Sequence, residues 1–93
     1  MVKAIVLYRG EPDQEWYEGH HAELARRVPG ATFRAGKVFG SPGGEPSYKQ
    51  YAEFEFPDRE TFKAGVNSAE MQAAVADAQT SGIPFEVYFV DVG

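Results

Sequence analysis

Two strand–helix–strand units follow one another in a chain of 93 residues, and that order constrains the fold more than any other feature. Val2 to Arg9 reads as a strand, because β-branched and aromatic residues run without a breaker up to Gly10. Asp13 is placed to cap a helix that Pro29-Gly30 ends. Thr32 to Gly40 reads as a second strand, and Ser47 to Phe56 as the third and clearest, joined by a Gly/Pro-rich turn. Asp58 opens a second helix, Asn67-Ser68 breaks it with Ser68 as a new cap, and Ser81-Gly82 ends the continuation. In that continuation Met71, Ala74, Val75 and Ala78 form one stripe. Ile83 to Val92 is the fourth strand. The order βαββαβ, with right-handed crossovers, predicts the α+β ferredoxin-like fold: a four-stranded antiparallel sheet with both helices on one face. No residue-level repeat relates the halves, and no linker divides residues 1–93, which are expected to form a single domain.

Helices on one face leave the other face uncovered. The alternation places Ile5, Leu7, Tyr51, Tyr88 and Val90 there, among Lys3, Arg9, Glu53, Glu55 and Glu86. A stripe of apolar residues on an open sheet marks an interface or a ligand groove, and the simplest cover is a second copy packed about a two-fold axis. A homodimer is therefore expected. Seven Phe, five Tyr and one Trp are a large aromatic share for a chain that buries only about 60–65 % of its unfolded surface alone. The net charge of −5 argues against nucleic acid and anionic membranes as partners. The absence of cysteine excludes thiol and thiolate–metal chemistry. The N-terminus lacks a signal-peptide layout and no apolar run is long enough to span a bilayer, so a cytoplasmic location is expected.

Both histidines, His20 and His21, fall in the first helix. Neighbours in an α-helix point about 100° apart, so the pair is not a natural metal grip, and no metal or other cofactor is expected. Tyr17, His21, Leu24 and Val28 follow helical spacing as an apolar stripe, which puts His21 on the face that meets the sheet. An imidazole there is a candidate acid–base group or, alternatively, a satisfied core residue. Tyr17 lies one turn before it, and His20 at the stripe's edge near Trp16. Glu53 and Glu55 share a strand face and read as a solvated charge pattern rather than a catalytic pair. The Gly40–Gly44 loop precedes no helix and has no Gly-Lys-Ser/Thr, so it is a turn and not a phosphate cradle. There is no aromatic RNA-binding strand and no serine nucleophile elbow.

The segment from Trp16-Tyr17 through His20-His21 to Val28-Pro29-Gly30 resembles the first helix of the EthD family, which carries an aromatic pair, a His and a closing Pro-Gly. Val2 to Tyr8 resembles the family's opening strand. Gly36 to Gly40, Gly44 to Pro46 and Tyr51 to Phe56 resemble its central hairpin, and Ser68 to Asp77 its second helical region. The resemblance implies a dimeric α+β barrel and aligns the family His with His21. The family takes its name from a cluster for ethyl tert-butyl ether degradation; it includes dehydratase-like proteins, and the wider superfamily includes cofactor-free monooxygenases and muconolactone isomerases. Glu23 stands where the family has proline, so a more regular first helix is expected here.

The expectation is thus a homodimer binding an apolar or aromatic small molecule in a barrel cavity. His21 would be the acid–base group, with Trp16, Tyr17, His20, Tyr51 and Tyr88 as ligand-binding residues. Dehydration, isomerisation and cofactor-free oxygenation all fit such a site. Two alternatives are a non-catalytic dimeric binding domain in which His21 is a core hydrogen-bonding residue, and a module whose open sheet face binds another protein.

Overall fold

The computed structural model describes residues 1–93. Its sheet holds β1 (Val2–Tyr8), β2 (Thr32–Lys37), β3 (Gln50–Phe56) and β4 (Phe85–Asp91) in the order β2-β3-β1-β4, every pair antiparallel. This is the ferredoxin-like α+β fold. The first helical run is α1 (Gln14–Trp16), a π-helical turn over Tyr17–His21, and α2 (Ala22–Ala25); the second is α3 (Arg59–Val66) and α4 (Ala69–Thr80). No helix is long and apolar enough to cross a membrane. The strands are shorter than the sequence pattern suggests, since the β2–β3 ladder ends at Lys37↔Gln50 and the hairpin loop begins beyond it.

Local chemistry sets the helix ends. Asp58 accepts a hydrogen bond from Thr61 N at 2.7 Å, and Ser68 from Met71 N at 3.1 Å. These caps satisfy backbone donors that a helix start leaves free. Asp13 does the same for Glu15 N at 3.0 Å.

The first helical run departs from the expected regular helix. Ala22 N donates to Tyr17 O, one residue further than an α-turn allows. The extra residue shifts the buried side to Tyr17, His21, Ala22, Ala25 and Val28, and leaves Leu24 half-buried. Gly19, with open space around its Cα, sits inside this turn. A glycine that adds no side chain to pack weakens the α register and makes the wide turn cheaper. The missing proline therefore does not restore regularity.

The helices cover one sheet face. Ala4, Phe54 and Phe56 of the strands meet Ala25, Val28 and Met71. Beside them Tyr8, Tyr17 and Ala78 form a smaller cluster. On the uncovered face Ile5 lies opposite Glu53 on one side and Tyr88 on the other, and Leu7 opposite Tyr51 and Glu86. Glu53 is not the solvated carboxylate expected, because it is only 6 % exposed. It accepts from Tyr51 Oη at 2.5 Å, Arg34 Nη1 at 2.9 Å and Lys3 Nζ at 3.3 Å. Arg34 also reaches Glu55 at 3.2 Å. The hydrogen bond from Tyr51, and those from Lys3 and Arg34, hold the Glu53 carboxyl below its usual range despite its burial.

Two outcomes follow from this packing. A Cβ on Gly65 would meet the Phe56 ring and lie 2.9 Å from the Pro29 carbonyl oxygen. Alanine gains about 1 kcal/mol of helix propensity there, but a fixed backbone oxygen makes the overpacking cost of about 1–3 kcal/mol prevail. Gly65→Ala should lower the melting temperature by about 5–10 °C in a thermal scan. Glu53 has a depressed folded-state pKa, so its contribution is present above the ordinary glutamate value of about 4.3 and is lost as pH falls below it. Melting curves between about pH 6 and about pH 3 should show a shallower acid decline for Glu53→Gln than for the native chain.

Candidate functional site

The space between α4 and the sheet follows from small side chains. The α4 residues that face the strands are mostly alanines, Ala74 and Ala78, with Met71 a turn earlier. With only the methyl groups of Ala74 and Ala78 to reach across there, a cavity of about 290 Å³ remains beneath the helix, walled by Val6, Phe54, Phe85 and Val87. His21 is its one lining residue outside the hydrophobic class, and the Tyr8 hydroxyl is the other polar group. The side toward β4 is more open, since Val87 and Phe89 stay 44 % and 64 % exposed.

His21 is held from every direction. Its Nδ1 lies 3.0 Å from Oδ2 of Asp77 on α4, and its Nε2 3.4 Å from the hydroxyl of Tyr8 at the end of β1. The Trp16 ring stacks on it at 5.2 Å and 23°, and the Tyr17 ring tilts against it at 5.1 Å. An ionised carboxylate only accepts, so in the neutral imidazole the proton belongs on Nδ1 and the lone pair on Nε2. That lone pair faces Tyr8 and the cavity. Burial, with the neighbouring Tyr17 and the Asp77 charge, raises the Tyr8 pKa, so its hydroxyl keeps its proton and donates. Burial likewise pushes Tyr17 up to about 12. The arrangement provides one proton acceptor at Nε2, one proton donor at Tyr8, and an apolar wall opposite.

The residues expected at the site divide into two groups. His21, Trp16 and Tyr17 come together. His20 is exposed and joins them through Asp77, with its Nδ1 3.2 Å from Oδ1. Tyr51 and Tyr88 do not join, because they lie on the uncovered face of the sheet and donate to Glu53 and Glu86 there. The cavity is accordingly on the helix side, within one chain, and not on the face where two sheets would meet. Tyr17 and Gln50 line a second, polar cleft of about 490 Å³ beside β2, and the buried Tyr17 hydroxyl and Gln50 Oε1 have no hydrogen-bond partner. That cleft lacks an acid–base pair of the His21 kind. No cluster of three or more His, Asp or Glu side chains has the geometry to hold a metal ion.

Tyr8 and Asp77 were missed from sequence. Tyr8 shares its strand face with Val2, Ala4 and Val6, the face helices cover, so its meeting with the helix histidine was within reach of the alternation argument. Asp77 carried a fainter signal, a lone carboxylate between Ala74 and Ala78 at the rim of an apolar stripe.

Comparison with known proteins agrees with this architecture. The chain is similar along its whole length to an EthD family protein from Bacillus halodurans C-125, with 28 % identity, coverage of 100 % of this chain and 99 % of that one, and a TM-score of 0.88. It shares its fold with a dimeric ferredoxin-like protein of unknown function from Thermobifida fusca YX, at 18 % identity over 98 % and 90 % of the two chains and a TM-score of 0.72. It also shares it with SnoaB, a cofactor-independent oxygenase from Streptomyces nogalater, at 12 % identity over 98 % and 91 % and a TM-score of 0.65. No curated protein matches. The EthD domain model matches residues 11–80, which include the first helical run, the hairpin and all of α4. The chain belongs to the EthD family.

Proposed function

We propose that the protein is a homodimer that takes an apolar or aromatic small molecule into the cavity beneath α4 and moves a proton on it through His21. The observation that carries this reading is the pairing of an apolar cavity with a single imidazole whose Nδ1 is anchored on Asp77. Size sets the ligand class. An apolar protein cavity of about 150 Å³ takes up benzene, so one of about 290 Å³ suits a body of about two rings. At the polar end, a hydroxyl or enol proton of the ligand passes to Nε2 of His21, and the resulting anion receives a hydrogen bond from Tyr8. Return of that proton to another ligand atom completes an isomerisation; its delivery to a leaving hydroxyl completes a dehydration. Deprotonation alone is the protein's share in an oxygenation in which the ligand itself reduces dioxygen. The cofactor-independent oxygenase of the same fold supports the last route.

Pairing through the uncovered sheet face is the second half of the reading. Ile5, Leu7, Tyr88 and Val90 form its apolar part, and the dimeric state of the Thermobifida protein supports a dimer here. Native mass spectrometry at micromolar concentration should give a dimer for the native chain and a monomer for Ile5→Lys, which places a charge at the centre of that face. A native monomer removes this half.

Isothermal titration with naphthalene and 1-naphthol tests the cavity. The native protein should bind both, and 1-naphthol about tenfold more tightly, the worth of one additional hydrogen bond of about 1.4 kcal/mol. Ala78→Phe should abolish both, and His21→Ala should keep naphthalene and lose the preference for the alcohol. Failure of the native protein to take up either probe removes the reading. The competing view, a purely structural His21, draws on the fact that both its ring nitrogens are already satisfied within the chain. It predicts an unchanged preference in His21→Ala together with a lowered melting temperature.

A further inference from the structure

We propose that His20 is the solvent end of a proton path that serves His21, with Asp77 as the bridge between the two imidazoles. The inference rests on the reading of His21 as the acid–base group, and it adds the route by which that group exchanges its proton with bulk water. The need for a route comes from burial. The His21 side chain is 6 % exposed, and on its Nε2 side lie the buried Tyr8 and the cavity that the ligand fills during reaction. Tyr8 holds its proton tightly and is itself cut off from water, so it is no exit. Trp16 stacks on the ring and Tyr17 packs against it beside Trp16. The ring's other nitrogen, Nδ1, meets the Asp77 carboxylate, the polar group that leads toward the surface.

Asp77 is 11 % exposed and has no lysine or arginine partner; its two ion-pair partners are the histidines. The His20 Nδ1 sits 3.2 Å from Oδ1 and 3.3 Å from Oδ2, while His21 Nδ1 sits 3.0 Å from Oδ2. The His20 side chain is 62 % exposed. Four groups thus run in series from cavity to solvent: the Tyr8 hydroxyl, the His21 ring, the Asp77 carboxylate and the His20 ring. Consecutive residues of an ordinary α-helix diverge by about 100° and do not share one carboxylate easily. The π-helical turn over Tyr17–His21 narrows that divergence and ends on this pair.

The proton balance is simple. His21 accepts a proton on Nε2 from the cavity and becomes the imidazolium. The exposed His20 ring first exchanges, through water, the Nδ1–H form that faces an ionised Asp77 for the Nε2–H form; the His21 Nδ1 proton then passes to Oδ2 of Asp77, and the carboxyl group gives a proton to the freed lone pair on Nδ1 of His20. His20 then releases its Nε2 proton to water. Each group gains one proton and loses one, no electrons change hands, and one proton has moved from cavity to solvent. The same steps in reverse reload His21. His20 and Asp77 do not touch a ligand in this scheme; they are relay and positioning residues.

The test needs no substrate. In protein labelled with nitrogen-15 histidine, the exchange of the His21 Nδ1 proton with water is measured by nuclear magnetic resonance, for the native chain, His20→Gln and His20→Phe. His20 is exposed, so both variants fold, and the bulky phenylalanine keeps water from replacing the lost ring. Exchange should slow at least tenfold in both variants, and free imidazole in the buffer should restore it in His20→Gln. An unchanged or faster rate in either variant, or no response to imidazole, overturns the relay. Because the measurement is made on ligand-free protein, its failure leaves the naphthol titration to judge His21 on its own.

Discussion

The pairing of β1 on both of its edges is the constraint from which the rest follows. Its seven residues are hydrogen-bonded to β3 on one side and β4 on the other, in fixed register. Side chains alternate along a strand, so this one ladder decides which residues the helices cover and which face outward. Val2, Ala4, Val6 and Tyr8 go to the helix side, and Lys3, Ile5 and Leu7 to the open side. A slip of one residue would expose Tyr8 and bury Lys3, at the cost of an unpaired buried ammonium. The position of Tyr8 under the first helical run, and so its approach to His21, is thereby a consequence of backbone pairing.

The cavity has a cost that speaks to its use. A dry, enclosed void would cost about 24 cal/mol per Å³, or roughly 7 kcal/mol at this volume, against a total stability of about 5–15 kcal/mol for a domain. The half-exposed Val87 and Phe89 on its β4 side lower that cost by letting water reach part of the space. Even so, filling it would need only a larger side chain in place of Ala74 or Ala78. A small chain that leaves such space beside a buried imidazole gives up stability where chemistry needs room.

The polar groups are organised differently on the two faces. On the helix side the titratable groups are few and arranged in series, with one carboxylate between two imidazoles. On the open side Lys3, Arg34, Glu53 and Glu55 balance to zero net charge and satisfy one another. Covering a neutral, internally bonded network with a second protein surface costs less than covering an unpaired charge. The ion pairs there are thus compatible with burial, and the apolar half of the face supplies the attraction.

Much of this protein was legible in its residues. The strand and helix order, the caps at Asp13, Asp58 and Ser68, the break at Asn67-Ser68 and the two faces of β3 all follow from short-range rules, because alternation, capping and turn chemistry act over a few residues. The placement of His21 on the covered side of its helix is of the same kind. The tertiary structure alone decided the rest. It replaced a regular helix with a π-helical turn, since the packing of Tyr17, His21, Ala22 and Ala25 against the sheet outweighed the local α preference. It separated Tyr51 and Tyr88 from His21, because side chains on opposite faces of a sheet do not meet whatever their chemistry. It buried Glu53 among three donors from neighbouring strands, and it brought Asp77 from 56 residues away onto both histidines. Those meetings depend on contacts between distant segments, which no local pattern records.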